Sequence, residues 1–210
     1  MKSNLLPIAK EGWSYLGYSA LIFVIASVAD CELFQSLSVL SAVFFIYVFR
    51  NPERELPRFE QSSVISPVDG RILSVDEINE GIYAYKITVN SNFTDVAVLR
   101  SPVSGKIKSV SSFNGSALGK DSELSTKLNE KTDIVFEDAD KNSLKVLHMV
   151  KQSFDGIKVD AQPEQSMIQS SRYGVMLNGI TTIYLPQNFR LNVSNSDEIK
   201  SGETLIGYFS

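Results

Sequence analysis

Two uncharged apolar stretches, Trp13 to Ala29 and Leu33 to Phe49, open this chain with only Asp30-Cys31-Glu32 between them. Each holds about 17 residues, the low end of what crosses a bilayer at ~1.5 Å of rise per residue. A cleavable leader would be single and followed by a small-residue cleavage site, whereas here a second apolar stretch follows at once. Trp13, Tyr15 and Tyr18 at the start and Tyr47 at the end suit interfacial aromatic belts. Lys2, Lys10, Arg50, Arg54 and Arg58 flank the same side, which by the positive-inside bias puts both ends at the cytoplasmic face of the cytoplasmic membrane. The expectation is a membrane-associated helical hairpin over residues 1–52. The alternative is a pair of buried helices in a soluble protein, with Cys31 an inert core thiol. Arg50-Asn51-Pro52-Glu53-Arg54 stops the second helix, because proline lacks a donor and disfavours helix for the residue before it.

From Val64 onward the pattern turns to short alternating segments rich in Val, Ile, Tyr and Thr, divided by Gly, Asn, Asp and Ser. Strands are expected near Arg71 to Glu77, Tyr83 to Val89, Asp95 to Arg100, Lys106 to Ser111, Asp133 to Glu137, Ser143 to Val150, Thr181 to Leu185, Phe189 to Val193 and Thr204 to Tyr208. The fold class is mainly β, in a second domain over residues 60–210. Within it Pro67-Val68-Asp69-Gly70-Arg71-Ile72 returns as Pro102-Val103-Ser104-Gly105-Lys106-Ile107. Proline followed three residues later by glycine makes a tight turn feeding a strand, so each copy is expected to open a hairpin. A third echo, Ile199-Lys200-Ser201-Gly202-Glu203-Thr204-Leu205-Ile206, has the turn-then-strand form of flattened biotinyl/lipoyl-type barrels.

A chain of 210 residues with 43% hydrophobic content can bury a substantial core. Its net charge of -4, with no basic block, argues against nucleic acid as a partner. One cysteine, Cys31, excludes an intrachain disulfide, and one histidine, His148, leaves little for a metal site.

Read in order, Phe49-Arg50-Asn51-Pro52, Ser66-Pro67-Val68-Asp69-Gly70, Arg100-Ser101-Pro102-Val103-Ser104-Gly105, Ser125-Thr126-Lys127-Leu128-Asn129-Glu130, Tyr184-Leu185-Pro186 and Gly202-Glu203-Thr204 resemble the landmarks of short, archaeal-type phosphatidylserine decarboxylases. The resemblance implies a flattened β-barrel or sandwich with biotinyl/lipoyl-like hairpins, and a self-cleaving proenzyme. In such enzymes a serine attacks its preceding carbonyl and eliminates to leave a pyruvoyl group, the electrophile that captures the substrate amine. An Asp-His pair activates that serine, the acid orienting the imidazole.

The acid is matched by Asp69. Where the family pattern has histidine this chain has Ala97, and Leu99 stands in place of the following asparagine. Counting back from Pro186, the Gly-Ser pair falls on Asn178-Gly179; counting forward from Gly174, it falls near Gly179-Ile180. Neither count meets a serine. Thr181 and Thr182 carry hydroxyls displaced from the expected turn, Ser170 and Ser171 look like turn residues, and the Asn178-Gly179 pair favours a tight turn with positive φ. By the same resemblance Arg100, Asn129, Glu130 and His148 are candidate substrate contacts, although a lone histidine among apolar neighbours suits a core residue. The expectation is an uncleaved, inactive family member that forms no pyruvoyl group and binds membrane phospholipid or partners an active homologue, as a homo- or hetero-oligomer. The alternatives are an active decarboxylase with a non-standard processing site and a membrane scaffold.

Overall fold

The apolar stretches fold as helices α1 (Gly12–Val28) and α2 (Glu32–Val48), joined by a turn in which Asp30 adopts φ 50° and Cys31 N donates to Ala26 O at 2.9 Å. The protein is seen here as a computed structural model describing residues 6–54, 62–119, 122 and 124–210. It divides into two units, Met1–Glu53 and Arg54–Ser210.

In the first unit small residues meet across the hairpin, Tyr15 packs against Phe45 and Phe49, and many of the other large side chains face outward. Gly12, Ser19 and Ala26 are the buried residues of α1, Ser19 Oγ lies 3.0 Å from Ser41 Oγ, and a β-carbon on Gly12 would press on Phe49. Outward stand Leu21, Val24, Ile25, Val28, Leu33, Leu37, Leu40 and Val43, all more than half exposed. A transmembrane span is not found: no helix among the described residues is long and apolar enough to cross a membrane. At 17 residues each helix is ~25 Å long against a hydrocarbon layer of ~30 Å.

The second unit holds β1 (Ser63–Ile65), β2 (Gly70–Glu80), β3 (Tyr83–Ser91), β4 (Val98–Arg100), β5 (Gly105–Phe113), a one-turn α3 (Ser125–Leu128), β6 (Lys131–Asp138), β7 (Ser143–Val150), β8 (Lys158–Val159), β9 (Ser166–Met167), β10 (Arg172–Val175), β11 (Gly179–Pro186), β12 (Phe189–Leu191), β13 (Glu198–Ile199) and β14 (Leu205–Phe209). The main sheet runs β13-β2-β3-β11-β7-β6-β5-β9, and two small sheets run β1-β14-β12 and β4-β10-β8. The fold is mainly β, as the alternation implies. β6 and β7 bury every second residue, so Ile134, Phe136, Leu144 and Val146 enter a core with Ile72, Ile87, Val89, Ile107 and Ile183. Each such side chain contributes about 1.5–3 kcal/mol by leaving water.

The sequence echo marks a doubling of the whole unit. About an axis between β11 and β7 the sheet order reads the same from either end, and the two small sheets correspond strand for strand. The halves repeat one another's bonds. Ile65 N donates to Pro102 O at 3.0 Å while its counterpart Arg100 N donates to Pro67 O at 2.9 Å. Ser66 Oγ donates to Val68 O at 2.6 Å, as Ser101 Oγ does to Val103 O at 2.8 Å. Ile72 N donates to Asp197 O, and Ile107 N to Gln165 O. Gly202, at φ 80°, and Ser170, at φ 65°, occupy equivalent left-handed corners. One half is β1–β3 with β11–β14; the other, β4–β10, is inserted between them. The links that join the halves are therefore residues 92–97 and 176–178.

Candidate functional site

Both links carry expected site residues, and the insertion brings them together. Met176 N, in the second link, donates to Ala97 O, in the first, at 2.9 Å. Gly179 opens β11 between Ser91 of β3 and Val150 of β7, and Ser91 Oγ donates to Asp69 O at 2.5 Å. Asp69, Ala97 and Asn178-Gly179 are thus brought to one end of the main sheet through these contacts.

Ala97, Asn178, Gly179 and Ile180 carry neither an imidazole nor a hydroxyl. Ala97, 4% exposed, presents a methyl group. A β-carbon added to Gly179 would lie 2.5 Å from both the Met149 carbonyl oxygen and the Met176 sulfur, so a serine there meets backbone on one contact and a buried thioether on the other. Ile180, the alternative position, is a strand residue paired with Asn90 and Met149. The tight Asn-Gly turn with positive φ is not found: Asn178 is a bend, and neither residue is among those with positive φ. Topology is the reason. In the other half β6 and β7 are joined by a short hairpin turn with Lys141 at φ 65°, but β3 and β11 are separated by the insertion, so the chain enters β11 from β10 and needs no reversal. Asn178 O instead accepts from Lys151 N at 3.0 Å, and its side-chain Nδ2 donates to Gln152 O at 3.3 Å. None of Asn178, Gly179 and Ile180 bears a hydroxyl, and the residues here do not fit a pyruvoyl group.

Asp69 is bound elsewhere. Arg54 Nη1 and Nη2 donate to its two carboxylate oxygens at 2.7 Å each, and Ser201 N donates to Oδ1 at 2.8 Å. The Ser201 contact belongs to the fold, because in the other half Gln169 N donates at 2.9 Å to Ser104 Oγ, the counterpart of Asp69. The forked guanidinium occupies both carboxylate oxygens. Glu203 lies 3.7 Å from Arg54 Nε.

The expected substrate contacts are scattered. Arg100, 9% exposed, donates from Nη1 to Ser170 O at 3.0 Å and faces Arg172 across the β4–β10 pair. Burial above all, then the charges of Arg54 and Arg172, push its guanidinium down to about 10, partly offset by Asp69 and Glu203. Asn129 receives Leu118 N and donates to Leu118 O and Val150 O, clamping residues 114–119 onto the sheet. Glu130 Oε1 accepts from Ile157 N at 3.0 Å and fixes the loop after β7. His148 is fully buried, with Nδ1 2.9 Å from Thr181 Oγ1 and Nε2 2.7 Å from the Tyr173 hydroxyl. Its burial holds the imidazole down at about 3 and raises the Tyr173 phenol well above its usual range. The Arg54–Asp69 pair escaped sequence reasoning; the spacing of Arg54 after Pro52 was its only trace.

The fold and this arrangement define a duplicated β unit carrying the frame of a self-processing carboxy-lyase. The family model for phosphatidylserine decarboxylase matches residues 42–207, and the chain belongs to that family. It is 28% identical over 207 residues to a phosphatidylserine decarboxylase proenzyme of Desulfotalea psychrophila (strain LSv54 / DSM 12343), covering 96% of each chain. It is 29% identical over 215 residues to the proenzyme of Ehrlichia ruminantium (strain Welgevonden), covering 99% of this chain and 94% of that one. With the proenzyme of Geotalea uraniireducens (strain Rf4) the identity is 26% over 211 residues and 99% of each chain.

Proposed function

We propose that this protein is an uncleaved phosphatidylserine decarboxylase homologue without decarboxylase activity, held at the membrane by its helical hairpin and acting in phospholipid binding or as the partner of an active homologue. The observation that carries this reading is the closed space at Gly179, hemmed by the Met149 carbonyl and the Met176 sulfur where a processing serine would stand. Ala97 and the guanidinium-bound Asp69 support it independently, since the remaining members of the proton-moving group are missing or engaged. The outward apolar side chains of α1 and α2 support membrane attachment: so large an exposed apolar surface calls for lipid or protein cover. At 17 residues the helices suit a hairpin lying in or dipping into one leaflet.

A second reading has one contact in its favour. Thr181 Oγ1 is 2.9 Å from His148 Nδ1, a hydroxyl beside an imidazole, and a threonine can in principle attack its preceding carbonyl. Three features weigh against it. Both residues are fully buried, Thr181 lies within an extended strand paired on both sides, and an imidazole at about 3 is a feeble base at neutral pH.

The test is to incubate the purified full chain with phosphatidylserine-containing vesicles, assay decarboxylation, and sediment the vesicles. Vesicle binding without conversion is expected. Formation of phosphatidylethanolamine would overturn the reading.

A further inference from the structure

The chain contains two Asn-Gly pairs, Asn114-Gly115 and Asn178-Gly179. Such a pair carries both partners of a reaction, because a glycine nitrogen, with no β-carbon beside it, can reach the preceding asparagine amide and displace ammonia. The fold treats the two pairs differently.

Asn178 and Gly179 are held. Asn178 is 7% exposed, its Nδ2 donates to Gln152 O at 3.3 Å, and its main-chain oxygen accepts from Lys151 N at 3.0 Å. Gly179 is fixed between Ser91 and Val150 at the start of β11. Bringing Gly179 N onto the Asn178 amide would require this end of β11 to open.

Asn114 and Gly115 lie between two anchors instead. β5 ends at Phe113, paired with Lys131, and the next ties are at Ser116, whose N donates to Leu128 O at 2.7 Å and whose O accepts from Glu130 N at 2.8 Å. In the gap both residues are exposed, and neither makes a hydrogen bond to another described residue. A β-carbon on Gly115 would press on the Leu128 carbonyl, so the packing of the segment itself calls for glycine after Asn114.

We propose that Asn114 is a site of spontaneous conversion to isoaspartate. Gly115 N, on losing its proton to hydroxide, bonds to Asn114 Cγ; the Cγ–Nδ2 bond breaks, ammonia leaves, and a succinimide ring closes. Water then opens the ring at either carbonyl. Breaking the bond from Gly115 N to Cγ gives aspartate, and breaking the bond from Gly115 N to the Asn114 main-chain carbon gives isoaspartate, in which the chain runs through the former side chain. The chain is not cut, and an acid replaces an amide.

Isoaspartate lengthens the main chain by one carbon between the two anchors. The Ser116 side gives way, because Ser116 with Asn129 is an isolated bridge, whereas Phe113 closes a paired run that begins at Gly105. The next residues tie the loop to the sheet: Ala117 O accepts from Gln152 N at 3.0 Å, and the Asn129 amide holds Leu118 N and O. Conversion therefore loosens residues 114–119 from Asn129 and Gln152.

Its test incubates the purified full chain in warm, mildly alkaline buffer and maps the tryptic peptides of residues 109–120 and 173–190, each of which carries one of the two pairs. Isoaspartate is expected in peptide 109–120, Asn178 keeps its amide in peptide 173–190, and Asn114→Gln abolishes the change. The same incubation in urea is expected to convert both pairs. Conversion of Asn178 alongside Asn114 in the folded chain, or of neither, would overturn the site. Resistance of Asn178 in urea as well would overturn the argument that the fold protects it. Limited proteolysis reads the loosening: residues 114–119 should be cut faster in the converted chain than in the fresh one, and equal cutting would overturn the release of the loop.

Discussion

Met176 Sδ lies 2.5 Å from the point that a β-carbon on Gly179 would occupy. A serine placed at this position is therefore expected not to give the family's chemistry. Gly179→Ser is expected to remain a single chain and to lose about 1–3 kcal/mol of stability through overpacking. Relieving the sulfur contact with Met176→Ala leaves the Met149 carbonyl in place, so the double variant should also stay uncleaved. Urea unfolding and intact mass of the two variants check both statements. Cleavage of G179S on its own would show that the space opens more readily than the contacts imply.

Burial of the Asp69–Arg54 pair makes it sensitive to loss of one partner. Their side chains are 11% and 6% exposed. Arg54→Ala leaves an uncompensated carboxylate among buried groups and should cost about 3–5 kcal/mol. Glu203→Ala, which removes an acid 35% exposed and 3.7 Å from the same guanidinium, should cost no more than about 1 kcal/mol. Chemical denaturation of the two variants would separate them; equal costs would contradict the assignment of Arg54 to Asp69.

The buried histidine gives a pH dependence with a defined sign. His148 titrates at about 3 in the folded chain against 6.5 when exposed, so below pH 6.5 the unfolded chain binds a proton that the folded chain refuses. Stability from this group is whole above pH 6.5 and declines as pH falls toward 3, by up to about 1.4 kcal/mol per unit. His148→Gln removes the titration, and the stability difference between it and the parent should shrink steadily from pH 7 to pH 4.5. A difference that holds constant over that range would show the imidazole reaching solvent.

Removal of the Tyr173 hydroxyl tests the same network from the other side. Tyr173→Phe leaves His148 Nε2 without its partner at 2.7 Å and should destabilise the chain by about 1–3 kcal/mol at pH 7. Double-mutant cycles with His148→Gln should recover most of that cost, because the two side chains share one hydrogen bond.

Much of the fold was legible in the residues themselves. Ser143 to Val150 is a strand over the expected residues, and those expected near Tyr83, Lys106, Asp133 and Phe189 are present with ends displaced by a few positions, because side-chain alternation reports burial directly. The strands that went unread, β1, β8, β9, β10 and β13, hold two to four residues each, too few to show a period. The Pro-x-x-Gly echo was visible, but the duplication it marks was not, since the partners of Ile65 and Arg100 lie across the chain rather than along it. At the site, the sequence shows Ala97, and Gly179 or Ile180, where the family resemblance leads to the expectation of a histidine and a serine. It does not expose what fills the space, because Met176 and the Met149 carbonyl reach Gly179 only through the insertion of one half into the other. The Asn178-Gly179 pair misled for the same reason: local turn chemistry was overridden by a strand that is entered from elsewhere.

Intact-protein mass spectrometry on freshly purified, detergent-solubilised full chain tests the central claim most directly. An uncleaved homologue gives one species near 23.3 kDa, the mass of the whole chain. Two fragments meeting between Asn178 and Thr182, the second with a keto-acyl terminus, would contradict the account and make this protein a working member of its family.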